Sequence, residues 1–189
     1  MVGAKQAAAE LDFGIERIFS YAAWADKFDG AVHNPPFRNI AIAMNEPLGT
    51  VGIICPTEAP LLGFLSLVLP ALAAGNTVIA IPSEAYPLIT GDLYQLFDTS
   101  DLPGGAVNIV TGYPSQLLKV LAEHDDVDAI WYFGTAEGVR ACEMASTGNM
   151  KQAWCEGFTR DWSAAEQGEG REFLRRATQV KNIWIPYGE

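Results

Sequence analysis

Positive charge is scarce in this chain: 12 lysines and arginines stand against 23 aspartates and glutamates, for a net charge of −11. Nucleic acids and anionic membrane surfaces need a basic patch, so both are excluded as partners. The acids are dispersed except at Asp125, Asp126 and Asp128, which read as a solvated turn before a strand. Histidine and cysteine are scarce too. His33 and His124 stand apart, and Cys55, Cys142 and Cys155 have no ligand spacing, which argues against a zinc site. Widely spaced cysteines in odd number, with no secretory leader legible ahead of them, place the chain among reduced, cytoplasmic proteins. Long apolar runs are missing. The longest, Pro60 to Ala74, falls short of the ~20 residues a membrane helix needs and carries Gly63, Ser66 and Pro70.

What remains is an ordinary globular composition. The 189 residues are 49% hydrophobic and 19% charged, which suits one domain, or one domain with an arm. A chain of this size can bury roughly 70% of its unfolded surface.

Lys5 to Phe28 reads as one long helix, with Leu11, Ile15, Ile18, Phe19, Ala22 and Ala23 near helical spacing and Asp29-Gly30 as its end. Asn34-Pro35-Pro36 makes Val32 to Arg38 a loop. Asn39–Met44 is expected as a strand and Glu46–Gly49 as a turn. From Val51 a regular alternation sets in. Strands are expected at Val51–Cys55, Thr77–Ile81, Val107–Val110 and Val127–Phe133. Helices are expected at Pro60–Ala74, Ala85–Phe97, Ser115–Glu123 and Thr135–Ala145. Nearly all-apolar strands alternating with helices imply a parallel sheet covered on both faces. The fold class is therefore α/β, with a doubly wound, Rossmann-like parallel sheet, a long N-terminal helix and a C-terminal strand arm. Gln152–Cys155 is a further strand for the sheet's edge.

After Gly157 the pattern changes. The stretch to Gly170 is polar and irregular, and Arg171–Ala177 is a short amphipathic helix. Val180–Pro186 is a strand with Ile183 and Ile185 on one face and Trp184 on the other. The parallel sheet offers it no obvious partner. It reads as an assembly arm acting by strand addition through Val180, Ile183, Trp184 and Ile185. The alternative is a strand folded back to cover an edge of its own domain.

Four segments resemble the aldehyde dehydrogenase superfamily: Ala23-Trp24-Ala25-Asp26-Lys27, Glu46-Pro47-Leu48-Gly49-Thr50-Val51-Gly52, Pro70–Val78 and Leu102–Gly112. The last two are very specific in combination and order. The resemblance runs from about Asp12 to Gly157 and resumes at Thr178–Ile185. What the family places between, a catalytic domain bearing the nucleophilic cysteine, is here only Phe158–Gly170 and one helix. The chain is thus similar to the truncated C-terminal pseudo-domain of family-16 aldehyde dehydrogenases. That resemblance implies a degenerate dinucleotide-binding-like domain at 1–157, an irregular linker with a short helix at 158–177 and an oligomerisation arm at 178–189.

Oxidising an aldehyde needs a thiolate, an oxyanion donor, a nicotinamide and a base. By the resemblance, the oxyanion donor is an Asn in Pro-Trp-Asn-Phe-Pro. Here the motif reads Pro56-Thr57-Glu58-Ala59-Pro60, and an ionised Glu58 is an acceptor only. Loss of one such donor costs about 10²–10³ in rate. The Lys-Pro-Ser-Glu motif that holds the adenosine ribose reads Ile81-Pro82-Ser83-Glu84. Glu84 can still accept from ribose hydroxyls, or serve as a helix-start acid. The pyrophosphate turn reads Tyr132-Phe133-Gly134-Thr135-Ala136-Glu137-Gly138, its second glycine one residue early. Gly134 and Thr135 are the remaining cofactor candidates, or an ordinary strand–helix connection with a Thr cap. Glu156 matches the family's base but lacks a thiol partner, and reads as a solvated acid at a strand end. Cys55, Cys142 and Cys155 read as structural.

Three functions follow. The first is a non-catalytic domain that supports assembly of an NAD-dependent aldehyde dehydrogenase, its partners being the full dehydrogenase module and a second copy, with no cofactor expected. The second is a surviving NAD-binding module. The third is part of an active assembly that borrows a thiol.

Overall fold

The computed structural model describes residues 3–188. Helix α1 (Ala4–Trp24) buries Gly14, Arg17 and Tyr21 on one stripe, which faces α2 (Pro60–Ala73). It ends earlier than its periodicity suggests, because Phe28 leaves the helix to pack against the core. No helix among the described residues is long and apolar enough to cross a membrane.

The alternating region forms the expected parallel sheet. Its strands are β3 (Thr50–Ile54), β4 (Thr77–Ile81), β5 (Val107–Ile109), β6 (Ala129–Phe133) and β7 (Gln152–Glu156), in the order β5-β4-β3-β6-β7. All four pairings are parallel. The chain runs outward from β3 to β5, then crosses back to β6 and runs outward to β7. With right-handed crossovers, α2 and α3 (Ile89–Thr99) cover one face, and α4 (Pro114–Glu123) and α5 (Ala136–Ala145) the other. The topological switch lies between β3 and β6, so ligands of such a sheet would meet its carboxyl edge there.

A smaller antiparallel sheet stands beside it. Its middle strand β2 (Asn39–Pro47) runs on into the residues expected as a turn, which tightens instead at Leu48 and Gly49, where Gly49 takes φ 125°. The expected loop over Val32–Arg38 is corrected as well. β1 (Ala31–His33) pairs with β2 from Ala31↔Ala43 to His33↔Ala41, and the prolines sit in the connection between them. The tail forms β8 (Thr178–Pro186), antiparallel to β2 along its whole length, from Asn39↔Pro186 to Pro47↔Thr178. Its missing partner is therefore in its own chain, in a second sheet rather than the parallel one. The order is β1-β2-β8, so β8 keeps one edge without a strand among the described residues.

Residues 158–177 fold onto the α2 face. They carry α6 (Ala165–Gly168) and α7 (Arg171–Arg176), and bury Trp162, Phe173, Leu174 and Ala177 in the larger core with Phe64, Trp131, Phe133 and Trp154. Full burial of each large apolar side chain stabilises by about 1.5–3 kcal/mol. Arg17 fastens this stretch to α1. Its Nη2 donates to the Trp162 carbonyl at 3.0 Å, and its Nη1 lies 3.1 Å from the Glu169 carboxylate.

Candidate functional site

Four strand ends meet at the carboxyl edge of the parallel sheet. After β3 the chain turns through Pro56, Thr57, Glu58 and Ala59. Ala59 adopts φ 47°, a left-handed conformation uncommon outside glycine, before Pro60 opens α2. Thr57 and Glu58 are exposed. The first turn of α2 is capped from α1: the Glu10 carboxylate accepts from the backbone N–H groups of Leu61 at 2.8 Å and Leu62 at 3.0 Å. Glu10 lies about fifty residues away in sequence, and no local pattern marks it.

Ile81, where the resembling motif has a cation, is 2% exposed and packs with Ile54, Leu118 and Leu121 beneath α4. Glu84 is exposed just beyond it, and Ser83 ties the two loops by donating to the Thr57 carbonyl at 3.3 Å. Glu84, Gly134 and Thr135, found separately in the sequence, line one cleft between α4 and α5. Thr57, Lys119 and Tyr132 line it too, and its volume is about 470 Å³.

At the start of α5 the chain supplies its own acceptors. Thr135 is the N-cap, and its Oγ1 accepts from the Gly138 N–H at 3.1 Å. The N–H of Thr135 donates to the phenol oxygen of Tyr132 at 3.1 Å. The ring is buried and lies against both glycines of the turn. A Cβ at Gly138 would sit 1.9 Å from that oxygen, and one at Gly134 2.6 Å from it. The early glycine thus has a physical reason: the phenol needs the space.

Glu156 is not the solvated acid expected. Side chains alternate along β7, so Glu156 shares its face with Trp154, toward the α2 core, while Cys155 packs on the α4–α5 side. The Glu156 carboxylate accepts from Nε of Arg160 at 2.6 Å, from Nη2 of Arg160 at 2.5 Å and from the Trp154 indole at 2.9 Å. The guanidinium also donates to the Gln167 carbonyl at 2.6 Å and lies 3.5 Å from Glu172. It is enclosed by the rings of Phe133, Trp154 and Phe173 at 5.4–5.7 Å. Burial works to lower the Arg160 pKa, but Glu156 and then Glu172 outweigh it, so the group is held above its ordinary value and stays charged. Arg160 sits in the stretch that sequence makes featureless, and its fork on Glu156 is a tertiary arrangement.

Cys55 and Cys142 are buried and Cys155 is half-buried, and the hydrogen bond with Cys155 draws the Cys142 thiol below its ordinary value. Burial pushes Cys55 well above the ordinary thiol range. Cys155 is raised first by its hydrogen bond with the Cys142 thiol and then by burial. Neither is poised as a thiolate nucleophile.

The family pattern described as Aldehyde dehydrogenase family matches residues 3–158, stopping where the Arg160 stretch begins. An aldehyde dehydrogenase of Agaricus bisporus is 35% identical over 148 residues, which are 78% of this chain and 30% of that protein. NADP/NAD-dependent aldehyde dehydrogenase PuuC of Escherichia coli (strain K12) is 39% identical over 137 residues, 72% of this chain and 28% of PuuC. Among solved structures, a putative aldehyde dehydrogenase from Burkholderia cenocepacia superposes with a TM-score of 0.75 at 34% identity, covering 78% of this chain and 30% of that one. PnpE in complex with nicotinamide adenine dinucleotide (NAD), a protein of Pseudomonas sp. WBC-3, gives 0.76 at 32% identity, covering 80% of this chain and 31% of PnpE. The chain spans about 30% of the length of the relatives it matches. From the pattern match and these relatives, the chain belongs to the aldehyde dehydrogenase family.

Proposed function

We propose that this chain is a non-catalytic aldehyde-dehydrogenase domain that supports assembly of an NAD-dependent aldehyde dehydrogenase. In kind it resembles the truncated pseudo-domain of family-16 enzymes. One observation carries the reading. The residue at the family's base position, Glu156, is consumed by a two-pronged ion pair with Arg160 on the face of the sheet away from the α4–α5 cleft. A carboxylate held by Arg160 and the Trp154 indole, and absent from the cleft lining, cannot reach a substrate held in the cleft. Glu58 supports the reading further, since an acceptor in the oxyanion donor's place opposes the developing charge.

A dinucleotide fits the residues present poorly. The cation of the ribose motif is replaced by a buried isoleucine, and the N–H of Thr135 already has an acceptor in Tyr132. We therefore expect no resident cofactor. One observation favours a second reading, a surviving NAD module: Glu84, Gly134 and Thr135 do share a cleft. Three unpaired cysteines suit a reducing, cytoplasmic setting.

The assembly role is supported by β8. Its inner edge is taken by β2, while Val180, Trp184 and Ile185 on the same strand are exposed by 59%, 54% and 45%. An exposed apolar edge strand is a template for a second chain, and lysines are the common way to blunt one. The chain is expected to self-associate at micromolar concentration, and Val180→Lys/Ile185→Lys is expected to make it monomeric while leaving its circular dichroism unchanged. Sedimentation velocity checks this. A wild-type chain that stays monomeric across the concentration range, alone and with the dehydrogenase module, would sink the assembly role.

A further inference from the structure

We propose that Tyr132 closes the α4–α5 cleft to phosphates by acting as a resident stand-in for a phosphate oxygen at the start of α5. The proposal deepens the non-catalytic reading and rests on it, since it names the side chain that keeps a dinucleotide out.

Helix starts attract anions because their first backbone N–H groups lack partners and carry the positive end of the helix dipole. Here two of the N–H groups at the start of α5 already have acceptors inside the molecule. The Tyr132 phenol accepts from the Thr135 N–H, and its oxygen lies 3.5 Å from Thr135 Oγ1, within reach of a second hydrogen bond. Thr135 Oγ1 in turn accepts from the Gly138 N–H. A neutral phenol supplies an acceptor without charge, so nothing in the pair must be desolvated as an ion. The ring lines the cleft beside this helix start. It presses on Gly134 and Gly138 so closely that no side chain fits at either glycine.

The departures from the family turn belong together. The tyrosine hydroxyl reaches the helix start, and the glycine displaced to position 138 makes room for it. An exposed carboxylate, Glu137, sits in the first turn of α5, where an acid satisfies the helix dipole. The neighbouring helix is treated alike, with Glu10 on the N–H groups of Leu61 and Leu62.

The test is calorimetric titration of wild type and Tyr132→Phe with inorganic pyrophosphate and with NAD. Tyr132→Phe removes one oxygen and keeps the ring. Tyr132→Ala removes the ring as well, and near-ultraviolet circular dichroism checks each fold. Wild type is expected to give no saturable heat at millimolar ligand. Tyr132→Phe is expected to bind pyrophosphate about ten-fold or more tighter than wild type, in line with one freed hydrogen bond to a charged group, and Tyr132→Ala to bind at least as well. In parallel, the Thr135 amide resonance is expected to shift in Tyr132→Phe and to move again with pyrophosphate only in the variants. If neither wild type nor variants bind, Tyr132 is not what closes the cleft, and the non-catalytic reading stands without it. If wild type binds as well as the variants, the cleft is open and the expectation of no cofactor fails too.

Discussion

Replacing Arg160 by alanine is expected to destabilise the domain by about 3–5 kcal/mol, the usual effect of breaking a buried ion pair from one side. The side chains of Arg160 and Glu156 are only 8% and 11% exposed, so water cannot take the place of the missing partner. The Glu156 carboxylate would keep its indole donor and lose both guanidinium bonds. The hollow among Phe133, Trp154 and Phe173 would open at the same time. In a domain of this length such a loss lowers Tm by roughly 6–20 °C. Thermal unfolding followed by circular dichroism measures it. The double variant Arg160→Leu/Glu156→Leu is expected to recover most of the loss, because an apolar pair of similar volume leaves no charge stranded. If Glu156 were instead a mobile base reaching a substrate cleft, Arg160→Ala would shift Tm little and the double variant would gain nothing over it.

The second large effect is at Asn76, which is 3% exposed and joins three parts of the fold with one amide group. Its Oδ1 accepts from the N–H groups of Leu48 at 2.7 Å and Gly49 at 3.1 Å, in the turn between the two sheets. Its Nδ2 donates to the Ala71 carbonyl at 2.8 Å in α2 and to the Ala177 carbonyl at 2.9 Å, just before β8. Asn76→Ala strands the Leu48 N–H and the Ala177 carbonyl, while Ala71 keeps a bond from the Asn76 backbone and Gly49 turns to water. Two stranded groups amount to about 2–6 kcal/mol. The loss is expected to be concentrated at β8, whose amides should lose protection from hydrogen exchange ahead of those of β3 and β4. Uniform loss of protection across both sheets would show that Asn76 does not hold the tail in place.

The parallel sheet was legible because its central strands are buried on both faces. Val51 to Cys55, Thr77 to Ile81 and Ala129 to Phe133 carry runs of apolar residues that no amphipathic helix would show. β1 was not legible. Three residues beside Asn34-Pro35-Pro36 carry too little pattern to outweigh the prolines, and only pairing with β2 fixes them as a strand. The partner of β8 was equally out of reach, since Gln179 and Glu46 stand opposite each other across more than 130 residues of sequence.

At the candidate site, Glu84, Gly134 and Thr135 were legible one by one from the family motifs, while the cleft they share appears only in the fold. The roles of Tyr132 and Arg160 were not. An aromatic in a central strand reads as core, and the reach of its hydroxyl depends on where the next helix begins. Arg160 lies among polar residues with no periodicity, so its fork on Glu156 appears only once β7 and the following chain are brought together.

We propose that the chain performs no aldehyde chemistry. This is tested most directly by incubating the purified chain with millimolar NAD and a set of aliphatic and aromatic aldehydes and following NADH absorbance. The expected result is a rate equal to that of the protein-free mixture for every aldehyde. NADH formation that scales with protein concentration and is lost in Glu156→Gln would contradict it, and would return Glu156 to the role of a base.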